Sequence, residues 1–128
     1  MCPLVIVKKV LVVEDVAQMR ELLGQVISRA GGLVVSGLAA SAMEARQLVF
    51  RERPDLVVLD EILPGESSVD FLTEMNTLGI PVLMITGIED AAHEVPAGAC
   101  GRLMKPSWNS MEEDRIRFGA AIQAVFQG

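Results

Sequence analysis

The stretch "LVVLDEILPG", residues 56–65, runs apolar for four residues, meets the adjacent carboxylates Asp60 and Glu61, and breaks at Pro64-Gly65. An unbroken apolar run of strand length is the pattern of a strand covered on both faces, and Pro-Gly is a turn former. A charge that ends such a strand needs a reason. Outward from it the same pattern recurs. "KVLVVED" (9–15), "LVVSGLA" (33–39), "IPVLMIT" (80–86) and the short "RLM" (102–104) read as further strands, with "DLVVLD" (55–60) third in order.

The intervening stretches have helical periodicity. "AQMRELLGQVISRAGG" (17–32) puts Met19, Leu22, Leu23, Val26, Ile27 and Ala30 on one face and stops at Gly31-Gly32. "SAMEARQLVFRERP" (41–54) opens with Ser41 and Glu44 at capping-box spacing and ends before Pro54. "SSVDFLTEMNTLG" (67–79) pairs Ser67 with Asp70 and stops at Gly79, and "SMEEDRIRFGAAIQAVF" (110–126) carries acids in its first turn. Met19, Met43, Met75 and Met84 read as core filler. Strand and helix in alternation predict an α/β fold, a doubly wound five-stranded parallel sheet with the flavodoxin-like order 2-1-3-4-5.

Composition bounds the function. The 128 residues suit one domain, 1–128, and a hydrophobic fraction of 51% excludes disorder. No apolar cluster nears the ~20 residues of a membrane span. The opening "MCPLVIVKK" does not read as a signal peptide, so cytoplasmic localisation is expected, with no membrane partner. A net charge of −6 argues against nucleic acid binding. Cys2 and Cys100 are expected as free thiols, and His93, the only histidine, as a surface residue. Residues 1–7 form an apolar extension, read either as a longer first strand or leader, or as a segment that pairs along a sheet edge.

In a doubly wound sheet the ligand site lies beyond the carboxyl ends of the strands, where the strand order reverses. Strand 1 ends in Glu14-Asp15, strand 3 in Asp60, strand 4 in Thr86 and strand 5 in Lys105. The charge at Asp60 thus faces a site. Three clustered carboxylates repel unless a cation sits among them, and hard oxygen ligands suit Mg²⁺. A lysine and a hydroxyl opposite could hold phosphoryl oxygens while an aspartate attacks phosphorus.

These motifs resemble the receiver domain of two-component response regulators, the CheY-like family, over residues 8–126. "VLVVED" resembles its acidic-pair strand, "LVVLDEILPG" its phospho-acceptor strand, "PVLMITG" its threonine strand and "AGACGRLMKP" its Lys-Pro element. Each motif is weak singly; the four in order are specific. The resemblance implies Asp60 as phospho-acceptor, and Mg²⁺ bound by Asp15 and Asp60, by Glu14 through water, and by the Ile62 backbone carbonyl. It implies Thr86 and Lys105 as phosphoryl contacts, and a cis Lys105–Pro106 bond. The implied function is a phosphorylation-dependent switch, not an enzyme beyond its own phosphorylation and dephosphorylation. Its partners would be a sensor histidine kinase or histidine phosphotransfer protein and a downstream protein target.

Departures from the family sharpen this reading. Arg102 stands where many members carry an aromatic residue that turns inward on activation. Glu61 is expected as a solvated loop carboxylate. The segment between Thr86 and Lys105 is short by about one turn and contains Pro96, so a shortened or irregular helix is expected at roughly 88–95. A dehalogenase-like phosphatase would need a carboxylate at 62, where Ile62 stands, and a flavodoxin would need a phosphate loop where "EDVAQMRE" stands. A degenerate receiver acting only as an interaction module, or the receiver part of a longer regulator, are the alternatives.

Overall fold

The structure is a computed structural model that describes residues 7–87 and 94–127. Its elements are β1 (Lys8–Val13), α1 (Ala17–Ser28), β2 (Leu33–Ala39), α2 (Ala42–Arg51), β3 (Leu56–Asp60), α3 (Ser68–Thr77), β4 (Val82–Thr86), β5 (Gly101–Met104), a 3₁₀ turn (Trp108–Ser110) and α4 (Met111–Gln127). All strand pairs are parallel, in the order β2-β1-β3-β4-β5. Fold class and strand order are those the sequence predicts.

The unbroken apolar runs conceal a period of two. Leu11 and Val13 of β1, Val57 and Leu59 of β3, and Val82 and Met84 of β4 face α2 and α3, where Phe71, Leu72 and Met75 cover them. The alternate residues Val10, Val12, Leu56, Val58, Leu83 and Ile85 face α1 and α4, under Leu22, Leu23, Val26, Ile27, Phe118 and Ile122. These three inner strands are therefore covered on both sides, which is why their apolar runs need no polar alternation. Met75 and Met84 are core residues as expected, but Met43 is two-thirds exposed because it lies on the outer face of α2.

Helix ends follow from local chemistry. Ser41 caps α2 by accepting the Glu44 N–H, and Ser67 caps α3 by accepting the Asp70 N–H, each at 3.1 Å. The remaining amides at the start of α2 are met from outside the helix. Glu66, in the β3–α3 loop, accepts from Ala42 N at 2.8 Å and Met43 N at 3.1 Å. At the other end of α3, Gly79 takes φ +74°, Ile80 N bonds Met75 O and Gly79 N bonds Asn76 O. That Schellman turn satisfies two last-turn carbonyls and aims the chain into β4.

Several expectations lie outside the described residues: Cys2, His93, residues 1–6 of the N-terminal extension, and 88–93 of the expected short helix. Glu94 and Val95 are not helical, and β5 follows at Gly101. Cys100 is free and exposed. No described helix is long and apolar enough to cross a membrane. The Lys105–Pro106 bond is trans, not cis as the resemblance implied. Trans is the intrinsic preference of an X–Pro amide, and Lys105 reaches its carboxylate partners from that isomer.

Candidate acidic site at the strand ends

Glu14 and Asp15 follow β1 directly. The Glu14 N–H donates to the Ala39 carbonyl at 3.0 Å, so β2 holds the exit of β1 in place. Arg20, one turn into α1, donates through Nη1 to the carbonyls of both Glu14 and Asp15, at 3.0 and 3.2 Å. This anchor turns the acidic pair over the sheet. Asp60 is the last residue of β3, and Ser68 at the start of α3 donates its hydroxyl to the Asp60 carbonyl at 2.8 Å.

One carboxylate oxygen from each of Glu14, Asp15 and Asp60 lies within 4.8 Å of the others. Glu14 is fully buried and Asp60 only 3% exposed. Carboxylates this close in a poorly solvated place repel one another. Lys105 answers part of that charge: its Nζ lies 2.9 Å from Glu14 Oε1 and donates to Asp60 Oδ2 at 3.0 Å. The Glu14 contact is an ion pair without hydrogen-bond geometry, so Oε1 stays buried with no hydrogen bond. Burial alone would lower the Lys105 pKa, but the close contacts and negative charge of Glu14 and Asp60 outweigh it and hold the ammonium above its usual range. Asp15 is pushed above the usual carboxylate range, first by burial and then by the hydrogen bond and charge of Glu14.

An orphaned buried oxygen beside two further carboxylates is a donor set that a hard divalent cation fits. The other predicted residues, Ile62 and Thr86, make different contacts. Ile62 donates its N–H to Asp60 Oδ1 at 3.1 Å, and its side chain is half exposed. Thr86 ends β4, one residue past the register partner of Asp60. Its buried hydroxyl donates to the Gly87 carbonyl at 3.3 Å rather than to a carboxylate.

Three residues escaped the sequence reading. Asp114, taken only as a first-turn acid, accepts from Ser107 N at 2.9 Å, from the Ser110 hydroxyl at 2.7 Å and from Arg117 at 2.9 Å. It thereby fixes the segment that leaves Lys105. Burial would raise its pKa, but these partners prevail and hold it low. Ser68 supports Asp60 through the bond from its hydroxyl to the Asp60 carbonyl. Glu61 is not solvated: its side chain is 11% exposed and bonded to Arg102. The approach of positions 61 and 102 depends on β5 lying beside β4, which periodicity does not show.

Comparison with known proteins bears on the family and the fold. A family model described as the response regulator receiver domain matches residues 10–116. A protein-glutamate methylesterase/protein-glutamine glutaminase of Treponema denticola is 33% identical over 106 residues, covering 77% of this chain and 28% of the relative. The chain spans between 25% and 37% of the length of such relatives. The response regulator domain of Thermotoga maritima CheB superposes with a TM-score of 0.78 at 23% identity, covering 95% of this chain and 98% of that one. CheY6 of R. sphaeroides, solved in complex with the P1 domain of CheA3, gives 0.78 at 22% identity, covering 94% and 98%. Both are likenesses of fold.

Proposed function

Because this chain belongs to the response regulator receiver domain family, we propose that it is a phosphorylation-dependent signalling switch that accepts a phosphoryl group on Asp60. One observation carries the reading: Asp60 ends its strand buried, between a lysine and two further acids. A carboxylate held there has no packing role that an apolar residue would not fill better.

Asp15 and Asp60, Glu14 through water, and the Ile62 carbonyl would hold Mg²⁺, which when bound neutralises charge on the carboxylates and on phosphoryl oxygens. An Asp60 carboxylate oxygen attacks phosphorus. The P–N bond of a phosphohistidine breaks and its electron pair leaves on the imidazole, which takes up a proton; with an acyl phosphate, the P–O bond breaks and a carboxylate leaves. Lys105 moves its contact from Oδ2 to the transferred group, and Thr86 turns its hydroxyl from Gly87 to a phosphoryl oxygen. The product is an acyl phosphate on Asp60, and the chain catalyses nothing beyond its own phosphorylation and dephosphorylation.

The donor is a sensor histidine kinase or histidine phosphotransfer protein in the cytoplasm; the solved pairing of CheY6 with a CheA3 P1 domain supports that class of partner. Residues 1–128 act as a single receiver domain on a downstream protein. A second reading, the receiver part of a longer methylesterase-type regulator, is favoured by relatives of which this chain spans little more than a quarter. With Mg²⁺ and a small acyl phosphate, intact mass should show one added phosphoryl group that acid or alkali removes. Asp60→Asn should gain none; a phosphorylated Asp60→Asn protein overturns the assignment.

A further inference from the structure

Asp60 and Glu61 are adjacent acids, and each takes a cation from the β5 segment. Lys105 serves Asp60. Arg102, paired in register with Met84, serves Glu61. Its Nε and Nη2 both donate to Glu61 Oε1, at 2.9 and 2.7 Å, and Nη2 also donates to the Glu94 carbonyl at 3.0 Å. The two side chains are 13% and 11% exposed, so this pair is largely shielded from solvent.

Residue 61 is thus held at both ends. Its N–H donates to the Ile85 carbonyl at 3.1 Å, and its carboxylate is held by Arg102. The next residue sets the acceptor, because the Ile62 N–H donates to Asp60 Oδ1 at 3.1 Å. The direction of the Asp60 carboxylate therefore depends on the turn at 60–62, and the turn depends on where the Glu61 side chain is anchored. Removing one member of a shielded ion pair leaves the other charge uncompensated, and Glu61 would relax toward water. Displacement of a reacting group by about 1 Å can cost about a hundredfold in rate.

We infer that Arg102 is a positioning residue for phosphoryl transfer to Asp60, acting through Glu61 to hold the 60–62 turn. This rests on the phospho-acceptor reading above. The pair ties the turn that carries the acceptor to the segment entering β5.

The test is a double-mutant cycle with two readouts, run where every variant is folded by circular dichroism. Phosphorylation by acetyl phosphate at saturating Mg²⁺ should slow about tenfold in Arg102→Ala and in Glu61→Ala, and no further in the double variant. The exchanged pair, Glu61→Arg with Arg102→Glu, should recover most of the rate. Without Mg²⁺ or donor, hydrogen exchange at the Ile62 amide should quicken in both single variants. Wild-type labelling by Arg102→Ala, or a double variant slowed by the product of the two single effects, overturns the inference. A wild-type chain that takes no phosphoryl group would instead defeat the acceptor reading. Unchanged Ile62 exchange in both single variants would then still overturn the anchoring of the turn.

Discussion

Lys105 Nζ lies 2.9 Å from Glu14 Oε1, an oxygen that is buried and accepts no hydrogen bond, while the same ammonium donates to Asp60 Oδ2 at 3.0 Å. One cation thus neutralises parts of two buried carboxylates contributed by different strands. That arrangement makes the site's charge balance a property of stability as well as of chemistry.

Lys105→Met should destabilise the metal-free protein at pH 7 by about 3 kcal/mol, the low end for a buried pair because Lys105 is partly exposed, since removing one partner leaves buried charge unpaired. Urea denaturation with and without Mg²⁺ checks this, with the larger metal-induced gain expected in the variant. The pH sign follows from the raised ammonium pKa. The stabilisation is fully present below the unfolded value of 10.5 and disappears as pH rises through the higher folded value. On the alkaline side the gap between wild type and variant should therefore persist until strong alkali.

Asp15 works in the opposite sense. Its folded pKa is raised, by burial first and by Glu14 second, so its contribution declines as pH climbs from 3.8 through the folded value. Once pH exceeds 3.8, Asp15 therefore burdens the metal-free fold. Asp15→Asn should raise the thermal midpoint without metal and remove the stabilisation by Mg²⁺, which for a wild-type site at a hundred times its Kd is about 2.7 kcal/mol. Differential scanning calorimetry across a Mg²⁺ series reads both effects.

Asp114→Ala should cost about 1.5–3 kcal/mol at pH 7, because it strips a charged acceptor from Ser107, Ser110 and Arg117. Its depressed pKa means that this stability is present above the unfolded value of 3.8 and is lost as pH falls through the folded one. Guanidinium denaturation at pH 7 and at pH 3 should show the difference from wild type narrowing in acid.

Two phenylalanines separate core from surface. Phe71 is fully buried against β3 and β4, and Phe71→Ala should cost about 3–5 kcal/mol. Phe50 on α2 is 93% exposed, and Phe50→Ala should change stability by no more than about 0.5 kcal/mol. Parallel urea titrations compare them.

The sequence made the fold legible because burial on both faces leaves a strong local trace. Val10–Val13, Leu56–Leu59 and Val82–Ile85 are apolar without interruption, and the caps at Ser41, Ser67 and Gly79 stand where the chain changes element. Glu14, Asp15, Asp60 and Lys105 were found together because each ends or follows a strand, and a parallel sheet gathers those ends. Contacts that cross elements side chain to side chain left no such trace. Glu61 reaches Arg102 across 41 positions and Glu66 reaches Ala42 across 24, and neither separation has a period. Asp114 is indistinguishable in sequence from Glu112 and Glu113 beside it; only the fold of the segment after Lys105 selects it. The isomer of the Lys105–Pro106 bond likewise has no sequence signal in Lys-Pro itself.

The carboxylate of Glu66 has a consequence for exchange between relatives. Three amides open α2; one is capped by Ser41 and two by a loop that belongs to the next crossover. The β3–α3 loop is therefore not a cassette. A chimera that imported residues 60–67 from a relative without an acid at position 66 would carry its damage upstream, into a helix it never touched. Recombination that respects the molecule must move α2 and this loop together, so the inherited unit here is the pair.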